Sequence, residues 1–109
     1  MKKDDSVYIQ HMLDAIKRVE EYIGGTDNSG FCGNKMLQAA VCREIEIIGE
    51  ASKHLSRGFK AKHPDIPWKA IAGMRDKLIH DYFGIDYNAV WDTAIKDIPF
   101  LRSLLLKPV

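Results

Sequence analysis

The stretch N-K-M-L-Q-A-A-V-C-R-E-I-E-I-I-G-E-A-S-K-H-L-S, residues 34–56, decides the fold of this chain. Its apolar residues recur at three- and four-residue steps over an arc of about 160°, at 100° per residue. They are Leu37, Ala40, Val41, Ile45, Ile47, Ile48, Ala51 and Leu55. An arc of this width predicts a long helix, from Asn34 to about Ser56, that contacts more than one neighbour. Gly49 costs about 1 kcal/mol relative to alanine inside a helix, which indicates that another backbone approaches it closely.

Three glutamates accompany this helix: Glu44, Glu46 and Glu50. Carboxylates at such positions are usually solvated, and basic residues three or four positions away pair with them. We therefore expect all three on the solvated face, with Arg43 and Lys53 as nearby partners.

Another amphipathic helix precedes this one. The residues from Asp4 to Ser6 offer capping oxygens and negative charge at its start. Its apolar positions have a helical period: Ile9, Met12, Leu13, Ile16, Val19, Tyr22 and Ile23. Gly24 and Gly25 are expected to end it, and Thr26–Gly33 has the polar composition of a connecting loop.

The segment after the central helix is basic. Gly58 is placed to end that helix, and the segment from Arg57 to His63 is either a short helix or an irregular link. Pro67 suits the first turn of a helix, because its missing amide hydrogen has no partner there in any case. Trp68 is thus expected to begin a further helix. Its buried side contains Ile71, Met74, Leu78 and Tyr82, and Gly84 closes it.

The final helix is predicted from Asp86, whose carboxylate can cap it. Apolar residues continue with a helical period from Tyr87 to Leu105. Pro99 lacks an amide donor and clashes with the preceding turn, so we expect a kink or a break there. No segment alternates with a period of two, and no internal repeat is present. These patterns predict one all-α domain over residues 1–109, an antiparallel bundle of four or five helices.

Composition narrows the classes of function. The chain of 109 residues has a formal net charge of +1, so any contact with RNA must be local rather than driven by a global basic field. Cys32 and Cys42 are predicted to be reduced thiols, and no His or Cys pair has the spacing of a metal site. There is no signal peptide and no apolar run long enough to span a membrane, which predicts a cytoplasmic protein.

The stretch M-R-D-K-L-I-H-D-Y-F, Met74–Phe83, concentrates residues suited to phosphodiester chemistry. Arg75 is a permanent cation that matches phosphate oxygens, and the unperturbed pKa of a histidine such as His80 lies near neutral pH. The two lie about 140° apart around an ideal helix, so they converge only through the reach of the arginine or a distorted helix end. The structural alternative is that Arg75 and His80 make local helix-end contacts and that Tyr82 is a core residue.

The order Arg75, four residues, His80, one residue, Tyr82 resembles the signature of the HepT-like branch of the HEPN superfamily of small helical RNases. The resemblance extends along nearly the whole chain. Family-like segments occur in family order at His11–Ile16 (H-M-L-D-A-I), Glu46–Ala51 (E-I-I-G-E-A), Ile66–Arg75 (I-P-W-K-A-I-A-G-M-R) and Val90–Leu101 (V-W-D-T-A-I-K-D-I-P-F-L). Asp76 stands where many members have asparagine, a mild departure because aspartate is also common there.

This resemblance implies the toxin of a type VII-like toxin–antitoxin pair, whose partner is an MntA-type minimal nucleotidyltransferase. It also implies metal-independent RNA cleavage with no cofactor. Carried onto this sequence, Arg75 and His80 are the catalytic pair and Asp76 supports them. Tyr82 is the residue that the partner modifies with AMP, which would add negative charge and bulk near Arg75.

Cleavage without a metal requires a base, an acid and positive charge, whereas one chain supplies one histidine in the motif. A two-fold homodimer would supply two, which predicts a cleft between two subunits. Lys69 and Lys77 are candidate RNA-binding residues, although a solvated face is the usual role of such lysines. The rival hypothesis is a non-catalytic binding module that presents Tyr82, or a substrate, to a nucleotidyltransferase.

Overall fold

Two long helices, α1 (Asp5–Ile23) and α3 (Lys35–Lys53), form the centre of the fold. The computed structural model describes residues 4–74, 76, 84 and 86–107. Tyr8 near the start of α1 stacks on His54 just after α3, with ring centroids 5.0 Å apart. Arg18, further along α1, pairs with Glu44 in the middle of α3. The two helices are therefore antiparallel.

The N-terminus of α1 is capped as the sequence predicts. The Asp4 carboxylate accepts a hydrogen bond from the Ser6 amide at 2.9 Å, which satisfies one of the free donors of the first turn. The helix ends at Ile23, followed by Gly24. Gly24 has a right-handed φ of −62°, so the helix ends there without the left-handed conformation that the glycine pair offers.

A short helix, α2 (Asn28–Cys32), follows α1, and the prediction of a polar loop over Thr26–Gly33 is wrong. Asp27 caps it by accepting a hydrogen bond from the Gly30 amide at 2.8 Å. Its one large apolar residue, Phe31, is fully buried against Trp91, with ring centroids 5.4 Å apart. Full burial of a phenylalanine stabilises by about 1.5–3 kcal/mol, which fixes this segment against the core despite its polar composition.

The start of α3 agrees with prediction, because the Asn34 side chain accepts a hydrogen bond from the Leu37 amide at 3.0 Å. The helix ends at Lys53, a few residues before the predicted end. The expectation that Glu44 lies on the solvated face is wrong: only 7% of its side chain is exposed. Its carboxylate accepts a hydrogen bond from Arg18 Nε at 2.9 Å and another from the Tyr22 hydroxyl at 3.3 Å. This hydrogen bond to Glu44 raises the pKa of Arg18 above its usual value.

The basic segment forms the short helix α4 (Arg57–Lys62). Gly58 lies inside it, so the prediction that Gly58 ends the preceding helix is wrong. Ser56 determines this boundary, because its hydroxyl caps α4 by accepting a hydrogen bond from the Phe59 amide at 3.1 Å. The Asp5 carboxylate in turn accepts hydrogen bonds from the Ser56 amide at 2.8 Å and from its hydroxyl at 2.6 Å.

The helix α5 (Trp68–Ala72) begins at Trp68, as predicted. It does not continue unbroken, because Gly73 forms a turn before Met74 and Asp76 are again helical. Ile71 and Met74 are buried, in agreement with the predicted face. Further along, Gly84 has a φ of +84°, a conformation that glycine adopts without a Cβ clash.

The C-terminal part contains α6 (Tyr87–Asp92), a π-helical segment (Thr93–Asp97) and α7 (Ile98–Leu105). Asp86 caps α6 as predicted, by accepting a hydrogen bond from the Ala89 amide at 3.1 Å. Helical dihedral angles continue through both junctions. The interruption expected at Pro99 therefore takes the form of a π turn just before the proline, in which the Ile98 amide donates to the Thr93 carbonyl.

One cluster of buried apolar side chains joins these helices. Its fully or nearly buried members are Met12, Ala15, Ile16, Val19, Phe31, Val41, Ile45, Ile48, Val90, Ala94 and Ile98, with others packed around them. No strand occurs among the described residues, which confirms the prediction of an all-α fold. Cys32 and Cys42 are free thiols, and burial, reinforced by the nearby charge of Glu46, raises the pKa of Cys42. Within the described part of the chain, no helix is both long and apolar enough to cross a bilayer.

Candidate functional site

Two of the predicted site residues, Lys69 and Asp76, belong to the described part of the chain. Arg75, Lys77, His80 and Tyr82 lie outside the described residues. Asp76 is exposed, as is Lys69 on α5. The structure thus describes the approach to the Arg75–Tyr82 motif up to Met74, together with one position inside it.

The approach to the motif is fixed at Trp68. Its indole nitrogen donates to the carbonyl of His63 at 3.1 Å and to that of Lys60 at 3.3 Å. The same ring meets Phe59 edge-on, with centroids 6.0 Å apart. The start of α5 is consequently tied to the end of α4 by both hydrogen bonds and ring packing.

The end of α5 is fixed by Gly49 of α3. A Cβ atom placed on Gly49 would lie 3.3 Å from the carbonyl oxygen of Ile71 and 3.5 Å from that of Ala72. The prediction that a second backbone approaches Gly49 is confirmed, and the approaching segment is the one that leads directly to residue 75. The glycine thus allows the backbone at Ile71 and Ala72 to pack directly on α3.

A groove of about 700 Å³ lies along this crossing. Asp76 and Ala72 contribute to it from the motif side, and Tyr8 and His11 from α1. The remainder comes from α3 and its C-cap: Arg43, Glu46, Ile47, Gly49, Glu50, Ala51, Lys53 and His54. Asp76 is the only predicted site residue that this groove brings together with other elements in the described part of the chain.

Charges of both signs line the groove. Arg43 lies 3.7 Å from Glu46, and Lys53 lies 3.8 Å from Glu50, which confirms the predicted partners. His54 Nε2 lies 3.6 Å from the other oxygen of Glu50. These pairs are largely exposed, and exposed pairs of this kind contribute little to stability.

Aromatic rings form one wall of the groove. Tyr8 stacks on His54 with an interplanar angle of 12°, and His11 meets Tyr8 edge-on with centroids 6.0 Å apart. His11 and His54 are both exposed, and both line the groove. Tyr8 and His11 are three residues apart on one helix, a spacing that predicts from the sequence that their side chains are neighbours.

Lys69 is separate from this groove. A second cavity, of about 350 Å³, lies beside α5 and is lined mainly by apolar groups of α5 and α7, including Ile71, Met74, Phe100 and Leu104. Lys69 lines neither cavity. Among the residues that the structure describes, no three His, Cys, Asp or Glu side chains are arranged to hold a metal ion.

Comparison with known proteins gives consistent matches. A family model described as "Ribonuclease HepT-like" matches residues 12–107. A protein of Thermococcus cleftensis named "Probable ribonuclease HepT" is 45% identical over 103 residues, which cover 94% of each chain. A "Putative RNase" of Caldanaerobacter subterraneus is 46% identical over 96 residues, 88% of this chain and 86% of that protein.

A longer relative is also similar. A protein of Methanocaldococcus jannaschii named "Gamma-glutamylcyclotransferase and putative RNase" is 47% identical over 107 residues, 98% of this chain. The match covers 48% of that protein, so the present chain spans about half of its length. No solved structure matches the chain.

Proposed function

Because this chain belongs to the ribonuclease HepT-like family, we propose that it is an endoribonuclease whose catalytic pair is Arg75 and His80. The observation that carries the proposal is the order Arg75, His80, Tyr82 within a segment matched by the family model. The names of the similar proteins, which include a ribonuclease and an RNase, point to the same activity. The groove beside Asp76 offers room for a strand that reaches the motif.

The proposed reaction is metal-independent transesterification of RNA. A base takes the proton of the 2′-hydroxyl, whose oxygen attacks the adjacent phosphorus, and an acid protonates the departing 5′-oxygen. Arg75 stabilises the negative charge that develops on the phosphorane oxygens, because its planar fork matches them. His80 in its neutral form acts as the base, and a protonated imidazole acts as the acid.

The need for two proton-transfer groups supports a shared site in a homodimer. Two motifs related by a two-fold axis present two histidines and two arginines to one phosphate. A mixed dimer of wild type and His80→Ala tests this arrangement. A shared site predicts that the mixed dimer loses well over half of the wild-type activity, whereas retention of half or more would contradict it.

The test of the activity itself uses purified protein, single-stranded RNA and EDTA. We expect cleavage by the wild type, and a loss of about 100-fold or more in both Arg75→Ala and His80→Ala, in line with the usual contribution of acid–base catalysis. Cleavage that survives both substitutions would come from a contaminating nuclease and would favour a non-catalytic binding module. Circular dichroism of the variants checks that they fold.

Regulation by a partner completes the proposal. The chain acts as the toxin of a toxin–antitoxin pair, and an MntA-type nucleotidyltransferase transfers AMP to the Tyr82 hydroxyl. The new phosphodiester places negative charge beside Arg75 and fills space that the RNA requires. Tyr82→Phe is expected to keep cleaving RNA in the presence of the partner and ATP, conditions that silence the wild type. If the partner silences Tyr82→Phe as fully as the wild type, Tyr82 is not the modified residue.

A further inference from the structure

The described surface contains one strongly basic region. Residues 51–64 include four cations and no carboxylate. Because the whole chain carries +1 and this segment carries +4, the rest of the chain carries −3. We call the side chains Lys53, His54, Arg57, Lys60, Lys62 and His63 the basic platform.

Three cations of the basic platform are available to a ligand, whereas Lys53 pairs with Glu50. Arg57 and Lys62 are exposed and Lys60 is half-buried, and none of the three takes part in an ion pair within the described residues. The carboxylates nearby are already engaged. Asp5 accepts two hydrogen bonds from Ser56, and Asp65 lies 3.7 Å from Lys107. A phosphate at Arg57, Lys60 and Lys62 would meet three cations with which no described carboxylate forms an ion pair.

Two aromatic stacks lie within the basic platform. His54 stacks on Tyr8, and His63 stacks on Phe59 with ring centroids 4.5 Å apart and an interplanar angle of 29°. Half of the His54 side chain is exposed. A histidine already held flat on another ring presents its outer face for a base to extend the stack, as aromatic side chains do in proteins that bind single strands. Cations interleaved with such rings distinguish this surface from an ordinary lysine-rich helix.

The basic platform is also rigid. Ser56 caps α4 at its first turn, and Asp5 clamps Ser56 from α1. At the other end of α4, the carbonyls of Lys60 and His63 accept hydrogen bonds from the Trp68 indole. Side chains on a fixed element need less ordering on binding, so less of their interaction with a ligand is offset by entropy.

The basic platform is continuous with the groove beside the motif. Lys53 and His54 line that groove together with Ala72 and Asp76, the residue that follows Arg75. From the crossing at Gly49 to His54, α3 advances about 7.5 Å, at 1.5 Å per residue. This is about the length of two stacked nucleotides at 3.4 Å each.

We propose that the basic platform binds single-stranded RNA flanking the scissile phosphate, with bases stacked on His54 and His63 and phosphates on Arg57, Lys60 and Lys62. This inference rests on the proposed function, because the RNA that the basic platform binds is the part of the same substrate that flanks the cleaved phosphate. A single strand is required, because bases inside a duplex are already stacked on one another.

The test uses fluorescence anisotropy with a labelled, fully 2′-O-methylated RNA of about 12 nucleotides, which lacks the attacking hydroxyl and is not cut. In the double variant Lys60→Glu/Lys62→Glu the dissociation constant is expected to rise at least about 10-fold. The slope of log K against log salt should decrease by about 1.4, because each phosphate that is no longer neutralised removes about 0.7. His54→Ala or His63→Ala should raise the dissociation constant at least about fivefold, since each removes a stacking surface.

The matched control is Lys17→Glu/Lys96→Glu, which makes the same change of charge at two exposed lysines of α1 and the π-helical segment. We expect its dissociation constant to rise much less, by no more than about threefold, because long-range fields are screened at physiological salt. If the two double variants raise the dissociation constant equally, the proposal for the basic platform is overturned, because binding would then depend only on net charge. Lys60→Arg/Lys62→Arg keeps both positive charges, so a dissociation constant equal to that of the wild type supports the proposal. It would also show that the loss in the glutamate variant comes from charge rather than from misfolding.

Failure of this inference can be distinguished from failure of the proposed function. If His80→Ala abolishes cleavage but Lys60→Glu/Lys62→Glu binds the methylated RNA like the wild type, the platform is wrong and the catalytic proposal stands. If Arg75→Ala and His80→Ala both still cleave, the catalytic proposal fails, whatever the binding result. If Lys60→Glu/Lys62→Glu binds RNA normally but no longer binds poly-glutamate, this surface belongs to an acidic protein partner and the proposal is overturned.

Discussion

Gly49 of α3 lies so close to the carbonyl oxygen of Ile71 that a Cβ atom between them would be 3.3 Å from that oxygen. Real Cβ atoms rarely approach a carbonyl oxygen so closely, so with any residue other than glycine the two backbones must separate by a few tenths of an ångström. Ile71 precedes Arg75 by four residues. Packing between two backbones therefore determines where the proposed catalytic segment begins.

Gly49→Ala is the first prediction. Alanine gains about 1 kcal/mol in helix propensity, but overpacking against a backbone costs about 1–3 kcal/mol, so we expect no net gain in stability. RNA cleavage should fall a few-fold, because misplacement of catalytic groups by a fraction of an ångström is costly. Urea unfolding and initial cleavage rates measure the two effects.

The control for this stability measurement is Gly58→Ala in α4, where a Cβ atom would meet nothing within 4 Å. It should stabilise the protein by about 0.4–1 kcal/mol. A gain of the same size in Gly49→Ala would mean that the contact with Ile71 imposes no constraint.

The second prediction concerns the buried Glu44 carboxylate. In Arg18→Ala this carboxylate keeps only the Tyr22 hydroxyl as a described hydrogen-bond partner, and we expect a loss of about 2–3 kcal/mol in the free energy of unfolding. The expected loss is smaller than that for a fully buried pair because 41% of the Arg18 side chain is exposed. Urea denaturation at neutral pH measures it.

Two further variants bracket this result. Arg18→Met/Glu44→Leu should recover most of the loss, because an apolar pair leaves no buried charge. Arg43→Ala, which breaks the exposed pair with Glu46, should cost less than about 1 kcal/mol. Equal losses in Arg18→Ala and Arg43→Ala would show that burial of Glu44 is unimportant.

The third prediction is a dependence of stability on pH that comes from Asp5. The hydrogen bonds that its carboxylate accepts from the Ser56 hydroxyl and amide lower the pKa of Asp5 from the ordinary value of 3.8. A lowered folded-state pKa means that the stabilisation is fully present above the unfolded value and is lost as the pH falls through the folded value. The urea midpoint of the wild type should therefore exceed that of Asp5→Asn at neutral pH, and the difference should shrink as the pH falls below about 3.8 and close below the folded-state pKa.

Ser56→Ala tests the cause of this pH dependence. The hydrogen bond from the Ser56 hydroxyl makes the largest contribution to the lowered pKa of Asp5. In a Ser56→Ala background, the change in urea midpoint caused by Asp5→Asn at neutral pH should therefore be smaller than in the wild-type background. An unchanged difference would assign the effect to the charge of Asp5 near the start of α1 rather than to its hydrogen bonds.

The fourth prediction concerns Gln38, whose side-chain amide donates to the carbonyls of Phe31 at 2.9 Å and Cys32 at 2.8 Å. Gln38→Leu leaves both carbonyls without this donor at a nearly fully buried position, at a cost of about 1–3 kcal/mol. Gln10→Leu, in the exposed face of α1, is the control and should change stability by less than about 0.5 kcal/mol. Faster hydrogen exchange in α2 should accompany the loss in Gln38→Leu alone.

The sequence predicts the long elements of this fold because their signals are local. The helix starts predicted at Asp4, Asn34 and Asp86 precede apolar residues of helical period, and Asp4 and Asp86 form the expected capping hydrogen bonds. The close approach at Gly49 is also visible in the sequence, since a glycine inside a wide apolar arc weakens the helix and leaves room for a neighbouring backbone.

The predictions from the sequence are wrong where a residue far away along the chain determines the local structure. Glu44 is buried because Arg18, 26 residues away, supplies its partner. The segment around Phe31 is helical because Trp91 and Gln38 hold it against the core, and nothing in its own polar composition indicates this. For the proposed site, Arg75, His80 and Tyr82 remain predictions from the sequence and lie outside the described residues. The fold adds the aromatic wall of Tyr8 and His54, which line the groove next to Asp76.

The π-helical segment Thr93–Asp97 determines which side chains of the following helix face the core. A turn that closes with a bond from Ile98 to Thr93 holds one residue more than an α turn, so all later side chains are rotated by about 100°. Ile98 and Leu101, at and beyond this turn, are buried in the core. Deleting one residue from the π-helical segment would rotate both side chains away from the core, so a one-residue deletion here should cost far more stability than a deletion in an exposed loop.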